Sequence, residues 1–133
     1  MITFDEVGEI LDELAEELPE EFHQELNGGI VLLPGTKLHP RSADPRRLYI
    51  LGEYHHRPRG LGRYIVIYYG SFVRLYGTAD PERQRKELRR VLRHEFTHHI
   101  ESLAGERGLE VKDAIAMARY RERNEKSGIR NEE

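Results

Sequence analysis

The sequence predicts an α+β fold in which a small β-sheet packs on a long amphipathic helix, with further helices toward the N- and C-terminal ends. Three observations carry that prediction. Apolar residues recur at helical spacing over residues 4–18 and 80–105, three short runs rich in branched and aromatic residues lie between those stretches, and 133 residues suffice for one core. A single domain over 1–133 follows, with no internal repeat.

The elements are expected in this order. Thr3 with Glu6 forms a capping box, and Ile2 and Val7 are spaced as a hydrophobic staple, so a helix starts here. Val7, Ile10, Leu11, Leu14 and Leu18 give it one buried face, and Pro19 breaks it ahead of a short helical segment carrying Phe22 and Leu26. Gly29 to Leu33 reads as a strand, Lys37 to Arg46 as a loop, Leu48 to Gly52 as a second strand, and His55 to Gly62 as a polar loop. Tyr64 to Tyr69 is a third strand, which Ser71 to Tyr76 either extends or follows with a helical turn. Asp80 as N-cap and Pro81 at the first helical position open the main helix, and Gly105 is expected to close it. Leu88, Val91, Leu92, Phe96, Ile100 and Leu103 form its apolar stripe. A last helix, Val111 to about Asn124, buries Ala114, Ile115, Ala118 and Tyr120.

Composition narrows the function classes. The chain has no cysteine, which excludes disulfides and thiolate metal sites and is compatible with a reducing cytoplasm. No apolar run approaches a membrane span, and no signal-like segment opens the chain, so a cytoplasmic protein without membrane partners is expected. Net charge is −3, but residues 1–27 hold ten acidic side chains and no Lys or Arg. The acidic first helix is expected to neutralise a basic body; arginines on the main helix, without interleaved aromatics, argue against nucleic acid as a partner.

The chemistry concentrates in His94-Glu95-Phe96-Thr97-His98. Histidines four residues apart lie above one another on one helical face, where both rings reach one metal ion, and Glu95 is about 60° around the wheel from His98. That pattern suits zinc, with Glu95 as the base that takes a proton from the attacking water. His99 falls inside the apolar stripe and is expected to be a core histidine bonded through its ring N–H. Zinc needs a third ligand. Glu101 is too far along the axis and Ala104 cannot ligate, so the ligand is sought beyond the expected turn, Asp113 first, with Glu106 and Glu110 as alternatives.

The segment Arg93-His94-Glu95-Phe96-Thr97-His98-His99, with Leu51-Gly52-Glu53-Tyr54, Pro58 and Ile67-Tyr68-Tyr69-Gly70, resembles the small bacterial zincin-like metallopeptidases, the minimal zincins. The resemblance implies a minimal zincin-like fold, His94 and His98 as zinc ligands, Glu95 as general base, and an extended peptide or protein substrate adding as a strand to an exposed sheet edge, for which Tyr64 to Tyr69 is the candidate. Many relatives carry a glycine and paired aspartates where this chain has Glu101-Ser102-Leu103-Ala104-Gly105-Glu106, which leaves the third ligand open. The expected activity is zinc-dependent peptide-bond hydrolysis, with His55, His56, Tyr68 and Tyr69 as candidate oxyanion donors. The alternatives are a non-catalytic, zinc-stabilised peptide-binding module and, behind it, a metal-dependent nucleic-acid hydrolase.

Overall fold

The computed structural model describes residues 1–43, 47–107 and 116–122. Helix α1 (Phe4–Glu16) begins as its sequence dictates: the Thr3 hydroxyl accepts the Glu6 N–H at 3.1 Å and the Glu6 carboxylate accepts the Thr3 N–H at 2.9 Å. A single 3₁₀ turn, Glu20–His23, follows Pro19 and buries Phe22. Then come β1 (Gly29–Leu33), β2 (Lys37–Leu38), β3 (Tyr49–Ile50), β4 (Gly52–Arg57), β5 (Gly62–Tyr68), α2 (Tyr69–Tyr76) and α3 (Pro81–Arg107). Residues 116–122 are helical; Ala118 is buried there, whereas Tyr120, expected inside, is exposed.

The architecture is α+β. The main sheet has order β1-β5-β4, with β1 parallel and β4 antiparallel to β5, and β2 pairs with β3 in a separate ribbon. Alternation along β5 sends Arg63, Ile65 and Ile67 to one face, where they meet α1 and α3. Val7, Leu11 and Leu14 of α1 and Leu88, Leu92 and Phe96 of α3 complete that core. Each such aliphatic or aromatic side chain contributes about 1.5–3 kcal/mol on burial, so the α3 stripe alone is a major source of stability.

Several sequence expectations are corrected by this topology. The expected second strand, Leu48 to Gly52, divides at Leu51 into β3 and β4, and the polar loop from His55 is strand as far as Arg57. Lys37 and Leu38 pair with β3 and so leave the expected loop, while Tyr69 leaves the expected strand to start α2, the helical one of the two readings for Ser71 to Tyr76. Polar residues occupy both faces of β4 because it lies at the sheet edge, and this hides its period. Tyr64 to Tyr69 is not an edge: β5 is central and spends its backbone on two neighbours. Helix α3 continues through Gly105 to Arg107, since one helical glycine costs only about 1 kcal/mol, and the Glu106 carboxylate in its last turn pairs with Arg63 at 2.6 Å.

The charge asymmetry resolves into contacts between helices. Arg85 meets Glu13 at 2.7 Å, and Arg89 forks onto both Glu17 oxygens at 3.1 Å. The acidic helix neutralises the basic one. No helix of the described residues is long and apolar enough to cross a membrane.

Candidate metal centre

Helix α3 opens with the Asp80 carboxylate accepting the Arg83 N–H at 2.8 Å, and its stripe from Leu88 to Leu103 is buried throughout. That seating sets the rotation of the helix. His94 and His98 are exposed along one side, and Glu95, only 6% exposed, turns toward β4. The three line an open cleft of about 700 Å³ whose other wall is Gly52 to His55, with Glu101 and Ser102 at its end.

The two imidazoles face each other with Nε2 atoms 3.2 Å apart and rings nearly perpendicular. Two nitrogens each 2.0–2.1 Å from one tetrahedral ion stand about 3.3 Å apart, so the pair fits as two zinc ligands. Without an ion, the same spacing makes one ring the donor and the other the acceptor. Among the described residues, no third His, Asp, Glu or Cys joins them in a group able to hold a metal. Asp113 and Glu110 lie outside the described residues. Glu106 is overruled as a ligand: it sits about 12 Å along the axis from His98 at 1.5 Å per residue, and its carboxylate is paired with Arg63. Glu101 reaches only to 3.8 Å from Nδ1 of His98, the nitrogen turned away from His94.

Burial pushes the Glu95 carboxyl above the usual carboxylate range, while the neighbouring His94 and His98 pull it back. A proton therefore binds it more readily than an exposed glutamate, which suits a group that must accept one and return it. Across the cleft, burial works against ionisation of Glu53, but hydrogen bonds from Lys37 at 2.7 Å, Tyr68 at 2.6 Å and His55 at 3.3 Å outweigh it and hold the carboxyl below its usual range. Sequence reasoning missed this group as a functional residue. No local signal marks it, because polar residues on both faces of β4 hide the strand period and its partners Lys37 and Tyr68 lie 16 and 15 residues away.

His55 stands in the cleft with its ring stacked on Tyr64, centroids 5.0 Å apart. Tyr68 gives its hydroxyl to Glu53, and Tyr69 donates to the Ile2 carbonyl at 2.6 Å, so the Tyr69 hydroxyl is committed to the N-terminal segment. His56 is exposed beside the β4–β5 turn. His99 is fully buried, as its place in the stripe requires: Nε2 donates to the Gln24 carbonyl at 2.8 Å, and Nδ1 accepts from the Tyr54 hydroxyl at 2.9 Å. Burial keeps it neutral by pushing its pKa down.

β4 is the free edge beside the helix. The Leu51 carbonyl accepts from the Tyr68 N–H at 2.9 Å, and antiparallel alternation then points the backbone groups of Glu53, His55 and Arg57 toward β5 and those of Gly52, Tyr54 and His56 outward. Gly52 makes the approach possible. A Cβ there would stand 3.0 Å from Ile67 and 3.1 Å from Val91, so a side chain would drive strand and helix apart.

No protein-family model matches the chain, and no curated protein matches it. Among solved structures it is similar to a conserved hypothetical protein from T. thermophilus, with 34% identity and a TM-score of 0.66 over 78% of this chain and 99% of that one. At that identity and coverage, the chain belongs to the same family as the T. thermophilus protein.

Proposed function

We propose that this protein is a zinc-dependent metallopeptidase of minimal zincin type acting on extended peptide segments. The observation that carries the reading is the opposed Nε2 pair of His94 and His98 at 3.2 Å with buried Glu95 beside it in one cleft. His94 and His98 would hold the ion, with Asp113 as the favoured third ligand. Bound zinc supplies Lewis acidity toward a carbonyl oxygen and brings the pKa of its water to about 7. Glu95 accepts the proton of the attacking water and returns it to the leaving amine. His55 gives its Nε2–H to Glu53, so it would donate to the developing oxyanion as the imidazolium, through Nδ1. The outward backbone of Gly52, Tyr54 and His56 receives the substrate as an added strand, the role that β5 cannot take. The ion pairs of Arg85 and Arg89 with α1 weigh against a nucleic-acid substrate. A cysteine-free chain suits a cytoplasmic setting.

The test is zinc content of the purified protein together with cleavage of a mixed peptide library by wild type and by Glu95→Gln. Wild type should hold one zinc per chain and cleave; the variant should hold zinc and lose cleavage by at least about 10²-fold. Unchanged turnover in Glu95→Gln removes the general base. Zinc retention with peptide capture and no cleavage by wild type would turn the reading to a binding module.

A further inference from the structure

Two further hollows flank the cleft at His94, Glu95 and His98. Toward β3, a hollow of about 260 Å³ shares Gly52, His94 and Glu95 with it and is lined further by Tyr49, Ile50 and Val91. Toward the β4–β5 turn, a hollow of about 770 Å³ begins at His56, the residue after His55, and shares the Tyr64 ring on which His55 stacks. The hollow toward β3 shares lining residues with the cleft, and the one at the turn is lined by the end of β4, the turn and Tyr64 of β5. From Gly52 to Arg57 the strand advances about 17 Å at about 3.3 Å per residue, so an extended segment paired with β4 would reach from the cleft to the turn.

The two ends differ chemically. The β3 end mixes Tyr49, Ile50, Leu51 and Val91 with Arg90, which is paired with Glu87. At the turn end, His56, Arg57 and Arg59 are exposed, Leu61 is 59% exposed, and no Asp or Glu lines the hollow. Among the described residues neither arginine has an ion-pair partner, in contrast to Arg83, Arg85, Arg89, Arg90 and Arg93 of α3, each of which pairs with a glutamate. The turn is held in place from beneath. Gly62 takes a φ of 72°, a region open to glycine, and the Gly60 N–H closes on the Arg57 carbonyl at 2.9 Å.

We propose that the β4–β5 turn is a specificity subsite for acidic side chains, so that the segment docked along β4 carries Asp or Glu four to five residues from the bond beside Glu95. The proposal rests on the reading of β4 as the docking edge and names its substrate class: an extended peptide with an acidic flank. Arg57 and Arg59 select by charge at the far end of the added strand, and Gly52, Tyr54 and His56 provide the sequence-independent backbone pairing.

The experiment uses full-length Glu95→Gln protein, so that binding is read without cleavage. The probes are end-blocked, fluorescein-labelled decapeptides with a common apolar centre and a flank of glutamates, alanines or lysines. The acidic probe should bind about 5- to 20-fold more tightly than the alanine probe at low salt, and the margin should shrink at high salt. Arg57→Glu with Arg59→Glu should reverse the order in favour of the lysine probe, and Arg57→Gln with Arg59→Gln should flatten it. Both positions are exposed, and an unchanged melting temperature confirms the fold of each variant. Equal binding of the three probes, a preference indifferent to charge reversal, or displacement of the acidic probe by a single-stranded oligonucleotide of equal affinity would overturn the subsite. Wild-type cleavage of the peptide library without acidic preference would sink the subsite and leave the peptidase; charge-selective binding without cleavage by wild type would do the opposite.

Discussion

His98 and His99 are neighbours on one helix with opposite surroundings. His98 leaves its side chain half exposed with Nε2 turned to His94, whereas His99 is fully buried with both ring nitrogens taken, one by Gln24 and one by Tyr54. The difference is one of helix rotation: 100° per residue moves the ring from the cleft rim into the core stripe. A histidine with every nitrogen satisfied stabilises the fold; one whose nitrogen faces another histidine across 3.2 Å is available to a metal.

The strongest way to break that contrast is to remove each ring in turn. His94→Ala or His98→Ala should abolish stoichiometric zinc, measured by metal analysis, and leave the metal-free melting temperature nearly unchanged because both rings are exposed. Either variant retaining one zinc per chain at wild-type affinity would remove the pair as the site. Asp113→Ala should weaken zinc binding by about 10- to 100-fold or more. Glu106→Ala should instead act on stability through Arg63, with zinc affinity preserved.

His99→Ala should show the reverse pattern. Deleting a buried ring and orphaning the Gln24 carbonyl and Tyr54 hydroxyl should cost about 2–4 kcal/mol in denaturant unfolding. The native pKa of His99 lies below its unfolded value, so the unfolded chain binds the proton first. Stability is then fully present above about pH 6.5 and is lost as pH falls through the depressed native value. A wild-type stability profile that stays level from pH 7 to 5 would contradict the buried neutral ring.

The smallest effect belongs to the far side of α3. Hydrogen bonding from Arg89 holds the Glu17 carboxyl below its usual range, with Arg85 and Arg93 adding to it. Its contribution is present above about pH 4.3 and lost as pH falls through the lower native value. Since Glu17 is about a third exposed, solvent screening limits this to about 0.5 kcal/mol. Glu17→Gln should therefore lower stability slightly at pH 7 and converge with wild type in acid. A constant difference across that range would mean the loss is packing rather than charge.

Local rules made α1 and α3 legible in the sequence. Thr3 and Glu6 cap each other, Asp80 caps α3, and all six stripe residues from Leu88 to Leu103 are buried, because backbone satisfaction and helical periodicity are set within a few residues. The histidine pair follows from the same periodicity. Strand order did not follow, since it depends on partners far away in the chain: nothing in Tyr64 to Tyr68 distinguishes a central strand from an edge. Glu53 was hidden for the same reason, its partners Lys37 and Tyr68 being 16 and 15 residues distant. Gly105 misled because a glycine can stop a helix only if no tertiary contact carries the helix past it, and Arg63 supplies that contact to Glu106.

The central position of β5 also bears on the order of assembly. β4 and β5 are joined by the short turn Pro58 to Leu61, and α3 follows after one further helix, so both walls of the cleft come from a continuous stretch of chain. The parallel pairing of β1 with β5 brings together residues about 35 apart in the chain, as Gly29 with Tyr64, and the cost of closing that loop must be met before the contact rewards it. The wall that α3 adds is no more local, since Tyr54 meets His99 across 45 residues, so within the cleft only the β4–β5 hairpin is built from contacts close in the chain.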